Sequence, residues 1–193
     1  MGQGKSRLEI LDKRRAKYKT YHEKKMTMTL REFKSQIKQL HKDMLRAWQG
    51  ENRVAALKIT IQCGKLLADP NPLQLYPLKF FAVVDILDSF GILVFDRLKK
   101  LSNLNPGEPV VPSLVPNSAK DICQNWFLKV SCIRELVPRL YLEISLANSR
   151  AFRKENAQKR ELPRLARSIR GVGDPVIVSA RCLTLRRATW PCF

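Results

Sequence analysis

The chain has 193 residues, enough for one domain or two and for a substantial hydrophobic core. Its apolar fraction of 45% excludes wholesale disorder, while 36 basic against 17 acidic residues give a net charge of +19. Such a balance suits an acidic partner, whether nucleic acid, anionic lipid or an acidic protein surface. The charge sits at the two ends. Residues 1–50 carry 14 basic and 5 acidic side chains, residues 51–149 carry 11 and 9, and residues 150–193 carry 11 and 3.

Met1-Gly2-Gln3-Gly4-Lys5-Ser6 fits the short M-G-x-x-x-S pattern, which would place a myristoyl group on Gly2. No apolar stretch of secretory type follows Met1, so a reducing, intracellular setting with buried thiols is expected. Residues 1–28 read as a basic, poorly packed segment. A helix then begins at Thr29, with Leu30, Phe33, Ile37, Leu40, Met44, Leu45 and Trp48 forming one stripe and Gly50 as its stop. Asn52 is placed to cap the next helix, whose apolar set is Val54, Leu57, Ile61 and Leu66, with Ala and Cys filling in. Asp69-Pro70-Asn71-Pro72 ends it.

Pro77 opens the longest helix, with Phe80, Val84, Leu87, Gly91, Val94 and Leu98 on one face and Asp85, Asp88, Ser89 and Asp96 opposite. A transmembrane span is excluded here, since each Asp near a bilayer centre costs about 2.5–3.5 kcal/mol on insertion scales. Residues 105–117 form a proline-rich loop. Ser118 to Asp121 resembles a capping box for a helix carrying Ile122, Trp126, Phe127, Val130 and Ile133. That helix runs into Pro138, which cannot donate a backbone hydrogen bond and belongs in the first turn of a new helix. The expectation is a helix, a corner and a second helix bearing Leu140, Tyr141, Ile144 and Ala147. Pro163 is expected to start a further helix closed by Gly171, and Asp174-Pro175 to cap another. The resulting fold class is all-α, with antiparallel helix pairs stacked as a short HEAT-like α-solenoid over 29–187.

Catalytic chemistry is missing from this pattern. Five cysteines, at 63, 123, 132, 182 and 192, contain no C-x-x-C pair, and with His22 and His41 they assemble no zinc site. Neither histidine has an orienting partner in view, and no nucleophile elbow or phosphate loop is present. No enzyme activity, metal or cofactor is expected.

Four ordered blocks carry a family resemblance. They are Ala56–Leu67, Tyr76–Phe80 continuing through Asp85–Gly91, Pro138–Glu143 with its Pro-Arg-Leu-Tyr-Leu core, and Ile169–Pro175. Together they resemble the N-terminal portion of the large α-solenoid subunit of Retriever, the vacuolar-protein-sorting-35-like family, and more distantly the large subunit of retromer. The resemblance implies a truncated scaffold subunit for endosomal cargo recycling, cytoplasmic and peripheral on endosomes, with membrane association indirect. It implies an arrestin-like small subunit as partner, bound through Pro138, Arg139, Leu140 and Tyr141. Arg139 would supply charge-assisted hydrogen bonds, while helix direction leaves open whether Leu140 and Tyr141 face the partner or the core. Other subunits of the recycling assembly are further partners it implies; the metallophosphoesterase-like subunit would bind a region this chain lacks. Residues 188–193 do not follow the family pattern. The alternative is a nucleic-acid-binding module built on the basic ends, 1–50 and 150–187. It requires RNA or DNA affinity that falls steeply with salt; the resemblance predicts no such binding near physiological salt, which a filter-binding salt series checks.

Overall fold

The stripe from Leu30 onward folds as α1 (Leu30–Gln49), the first full helix of a computed structural model. The structure describes residues 12, 15–16, 30–71, 73–105, 108–153, 157–170 and 172–179. Gly2, His22, Cys182, Cys192, residues 188–193 and nearly all of 1–28 lie outside the described residues. The chain divides into two compact units, Met1–Gln36 and Ile37–Phe193. In the first, residues 12, 15 and 16 are helical and exposed, and Phe33 is buried. The second contains the remainder of α1 and every later element.

α1 ends in a Schellman turn: Asn52 N–H donates to Ala47 O at 2.9 Å and Glu51 N–H to Trp48 O at 3.1 Å. The left-handed residue of this turn is Glu51, with φ of 59°, one position after the Gly50 expected to serve. Asn103 plays the same part, with φ of 53°, at the end of the long third helix.

Next comes α2 (Arg53–Lys65), capped as expected by Asn52, whose side chain accepts from Ala55 N–H at 3.0 Å. Its inward face differs from the expected one. Ala56, Leu57, Thr60, Cys63 and Gly64 are buried, whereas Val54 is 52% exposed. Small residues win because this face meets another helix at short range, where a bulky stripe would hold the backbones apart. A 3₁₀ turn at Leu73–Leu75 leads into α3 (Tyr76–Leu101), with Pro77 in its first turn. Its expected stripe is buried in full, together with Val83, Ile86 and Phe90. Phe81 and Ile92 remain exposed on the outer side beside Asp85. No described helix is long and apolar enough to cross a membrane.

The proline-rich connection returns to the core through buried Val115, and α4 (Asn117–Ser131) follows. The expected capping box does not form. The helix starts two residues earlier, with Pro116 at the N-cap, so Ser118 lies inside the first turn. α5 (Leu136–Ser145) and a 3₁₀ segment, Ala147–Phe152, complete the centre. α6 spans Ala157–Arg170 with Pro163 inside it, where the sequence suggested Pro163 as its start. Good helix formers precede Pro163 and carry the helix through a residue that weakens it. Residues 175–179 are helical, and Asp174 Oδ1 accepts from Val176 and Ile177 N–H at 2.8 and 3.3 Å, the cap expected there.

Among the described residues there is no strand; the elements form packed helix pairs, the arrangement of an α-solenoid. α5 is the hub, packing against α2, α3, α4 and α6. An aromatic cluster ties α1, α3 and α4 together. Trp48 stacks on Trp126 with centroids 6.0 Å apart, and Phe90 meets both edge-on at 5.8 and 5.5 Å.

Two glycines fix how closely α5 is approached. A Cβ on Gly64 of α2 would lie 3.0 Å from Pro138 Cβ, and one on Gly91 of α3 would collide with the backbone carbonyl of Ser145. Gly91→Ala is therefore expected to destabilise the fold by about 1–3 kcal/mol or more, because backbone must move to admit the methyl group. Gly50→Ala, which meets Arg46 O at 3.4 Å and Ala47 O at 4.0 Å, is expected to be neutral or to stabilise by about 0.4–1 kcal/mol. Urea denaturation of the two variants checks the contrast.

Candidate partner-binding site

The corner expected at Pro138 is present. α4 closes at Cys132, whose N–H donates to Leu128 O at 3.2 Å, and Ile133 N–H donates to Val130 O at 3.1 Å. Glu135 is extended, with φ of −74° and ψ of 123°, and turns the chain into α5. Arg139 N–H then makes the first helical bond, to Glu135 O at 3.3 Å. Pro138 occupies the third helical position, where a backbone N–H would have lacked an intrahelical acceptor. Across the corner Lys65 Nζ reaches Glu135 Oε1 at 2.6 Å, linking the end of α2 to the start of α5. Both side chains are about half exposed, so the pair contributes at most ~1 kcal/mol.

Of the four residues assigned to partner contact, three point inward. Pro138 is buried against Gly64; Leu140 packs with Ile144 and Leu165; Tyr141 is buried with its ring 6.4 Å from that of Phe80. Enclosure by neighbouring helices explains this. α5 is surrounded on several sides, so successive turns at 138, 140–142 and 144 are all enclosed. Arg139 alone of the four reaches outward, with 34% of its side chain exposed.

Arg139 belongs to an ionic group that sequence reasoning did not assemble. Its Nε lies 3.9 Å from Oε1 of Glu143, one turn along α5. The other carboxylate oxygen, Oε2, accepts from Arg164 Nη2 of α6 at 2.6 Å. The Glu143 side chain is 8% exposed and Arg164 is 44% exposed. A buried carboxylate thus holds two guanidinium groups that rise toward the surface. The Arg139–Glu143 spacing of four was visible in the sequence, whereas Arg164 lies on a separate helix and no local signal joins it to them.

The thiols are mostly inert. Cys63 and Cys123 are buried, and desolvation raises each from 9.0 to about 11; at Cys123 the nearby Arg153 and Arg150 charges oppose part of that rise. Cys132, at the corner, is exposed, contrary to the expectation that the thiols are buried. Among the described residues no three His, Cys, Asp or Glu side chains are grouped to hold a metal ion.

The family model described as VPS35L matches residues 1–189, taking in the basic segment at the N-terminus. The chain belongs to the VPS35L family. Among its curated relatives is a Drosophila melanogaster protein named VPS35 endosomal protein sorting factor-like, 40% identical over 168 residues. Proteins described as VPS35 endosomal protein-sorting factor-like from Homo sapiens, and VPS35 endosomal protein sorting factor-like from Dictyostelium discoideum, are 39% and 40% identical over 165 and 146 residues. These matches cover 83%, 83% and 74% of this chain, and 18%, 17% and 15% of the respective relatives. The chain therefore spans under a fifth of the length of these VPS35L-family proteins.

Thiol chemistry offers a check on the packing around the corner. Cys132 is expected to alkylate readily at pH 8, with Cys63 and Cys123 protected until the chain unfolds; peptide mapping by mass spectrometry reads each site. Because the folded chain keeps the two buried thiols protonated to about pH 11 and the unfolded chain loses those protons from about pH 9, stability falls across that window.

Proposed function

We propose that this chain is a scaffold segment of an endosomal protein-sorting factor and that its α5 corner seats the arrestin-like small subunit of Retriever. The observation that carries this is the corner itself: a helix enclosed on several sides that sends one guanidinium outward, at Arg139, from a buried carboxylate. Family membership supports the sorting role, since the relatives are named as endosomal sorting factors. In this reading Arg139 makes the contact, and Pro138, Leu140 and Tyr141 set its position from inside. Arginine held in a defined place is the residue type that most often anchors an interface. The same proposal makes the protein a peripheral component of endosomal membranes, recruited through its subunits and performing no chemistry of its own.

Binding of the purified chain to the arrestin-like subunit, followed by calorimetry, tests this. Arg139→Ala is expected to weaken affinity about tenfold, equivalent to ~1.4 kcal/mol, with the thermal midpoint nearly unchanged. Tyr141→Ala and Leu140→Ala are expected to destabilise the fold by about 2–5 kcal/mol, as core truncations do. Absence of binding by the intact, folded chain would overturn the proposal.

A further inference from the structure

We infer that the connection between α3 and α4 is a second docking segment, whose Pro109, Pro112 and Leu114 enter an uncharged, aromatic-lined groove of a proline-recognising partner domain. This goes beyond the contact proposed for α5 and uses none of its residues.

Composition sets the segment apart. From Leu101 to Ala119 there is no Lys or Arg, in a chain with 36 of them, while prolines stand at 106, 109, 112 and 116. Leu114 is 73% exposed and Val111 37%, with Pro109 exposed and Pro112 partly exposed beside them. Apolar side chains scattered singly over a surface need no explanation, whereas these adjoin one another along the chain.

Both ends of the segment are tied down. After α3, Leu104 N–H donates to Lys99 O at 3.2 Å. Asn105 N–H then donates to Glu108 Oε2 at 3.0 Å, and Glu108 N–H returns a bond to Asn105 O at 3.2 Å. Before α4, Leu114 N–H donates to Val111 O at 3.0 Å, closing a turn with Pro112 in its second place, and Val115 is buried. The exposed groups are thus presented on an anchored loop, which has little conformational freedom left to lose on binding.

Backbone chemistry selects the mode of binding. Pro109 and Pro112 have no N–H, so a partner strand could not build a continuous ladder here. Each fixes its own φ near about −65° and drives the residue before it, Glu108 or Val111, toward an extended conformation. Residues 108–111 form neither helix nor strand. These restraints favour polyproline II, whose three residues per turn set Pro109 and Pro112 on one edge, ~9 Å apart at 3.1 Å per residue. The carbonyls of Pro109 and Val110 accept no hydrogen bond from the described residues. Aromatic grooves meet such a segment on both counts: their rings flank the prolines, and Tyr hydroxyls or Trp N–H groups donate to the open carbonyls.

Charge selects the kind of groove. A groove with an acidic pocket for Lys or Arg finds neither adjacent in the chain and meets the carboxylate of Glu108 instead. A groove that works by ring contacts and neutral donors loses nothing.

The test titrates the full chain by calorimetry with purified WW and EVH1 domains, and with SH3 domains whose pockets carry acidic residues as the comparison. Micromolar binding to a WW or EVH1 domain is expected, weak or absent for the SH3 domains and nearly constant across a salt series. Pro109→Ala is expected to weaken it about tenfold and Leu114→Ser several-fold, with thermal midpoints little changed. No binding to any WW or EVH1 domain, equal binding by Pro109→Ala, or a preference for the SH3 domains would each overturn the inference. Sedimentation of the chain alone covers the remaining occupant: self-association abolished by Leu114→Ser would assign the segment to a second copy and likewise overturn it.

Discussion

Everything in the central unit depends on how closely α5 can be approached. Gly64 and Gly91 present no side chain at the two points where α2 and α3 pass nearest to it, one against Pro138 and the other against the Ser145 backbone. A methyl group at either point would push the helices apart. The small face of α2, with Ala56, Thr60 and Cys63, follows from the same constraint, as does the burial of Pro138. Once α5 is seated, its apolar sides are covered by α2, α3, α4 and α6, and only Arg139 among the residues of the motif is left facing outward. The surface chemistry of the corner is thus a by-product of close packing beneath it.

Where the sequence was informative, one signal dominated. The stripe on α3 was readable because large apolar residues recur every three or four positions across a long helix, and all six were found buried. Proline placed the corner and the start of α3, and Asn52 and Asp174 announced their caps. The inward face of α2 was not readable, since small residues show no hydrophobic period and Val54, the apparent first member of the stripe, points to solvent. Pro163 does not mark the start of α6, because the helix formers before it outweigh its helix-breaking tendency. At the corner, Arg139 and Glu143 could be paired from their spacing, yet whether Leu140 and Tyr141 faced outward depended on how many neighbours α5 has. Arg164 joined the group only through tertiary packing.

Membership of the VPS35L family gives these features a setting. In a solenoid segment the helices cover one another, and the side chains left at the rim form its surface. At this rim a buried glutamate meets arginines from two helices, hydrogen-bonded to Arg164 at 2.6 Å and drawn to Arg139 by charge across 3.9 Å.

The crossing at Gly64 and Pro138 also bears on how the chain reaches its fold. The two residues are far apart in sequence, so their contact closes a long loop whose entropy must be lost before any packing energy returns. At a synthesis rate of about 5–20 residues per second, α2 emerges several seconds before α5 exists to cover it. During that interval its small-residue face has no final partner. The pairing of α2 with α5 is therefore bound to form late, after the corner has left the ribosome, because the element that α2 and α3 both pack against is made after them.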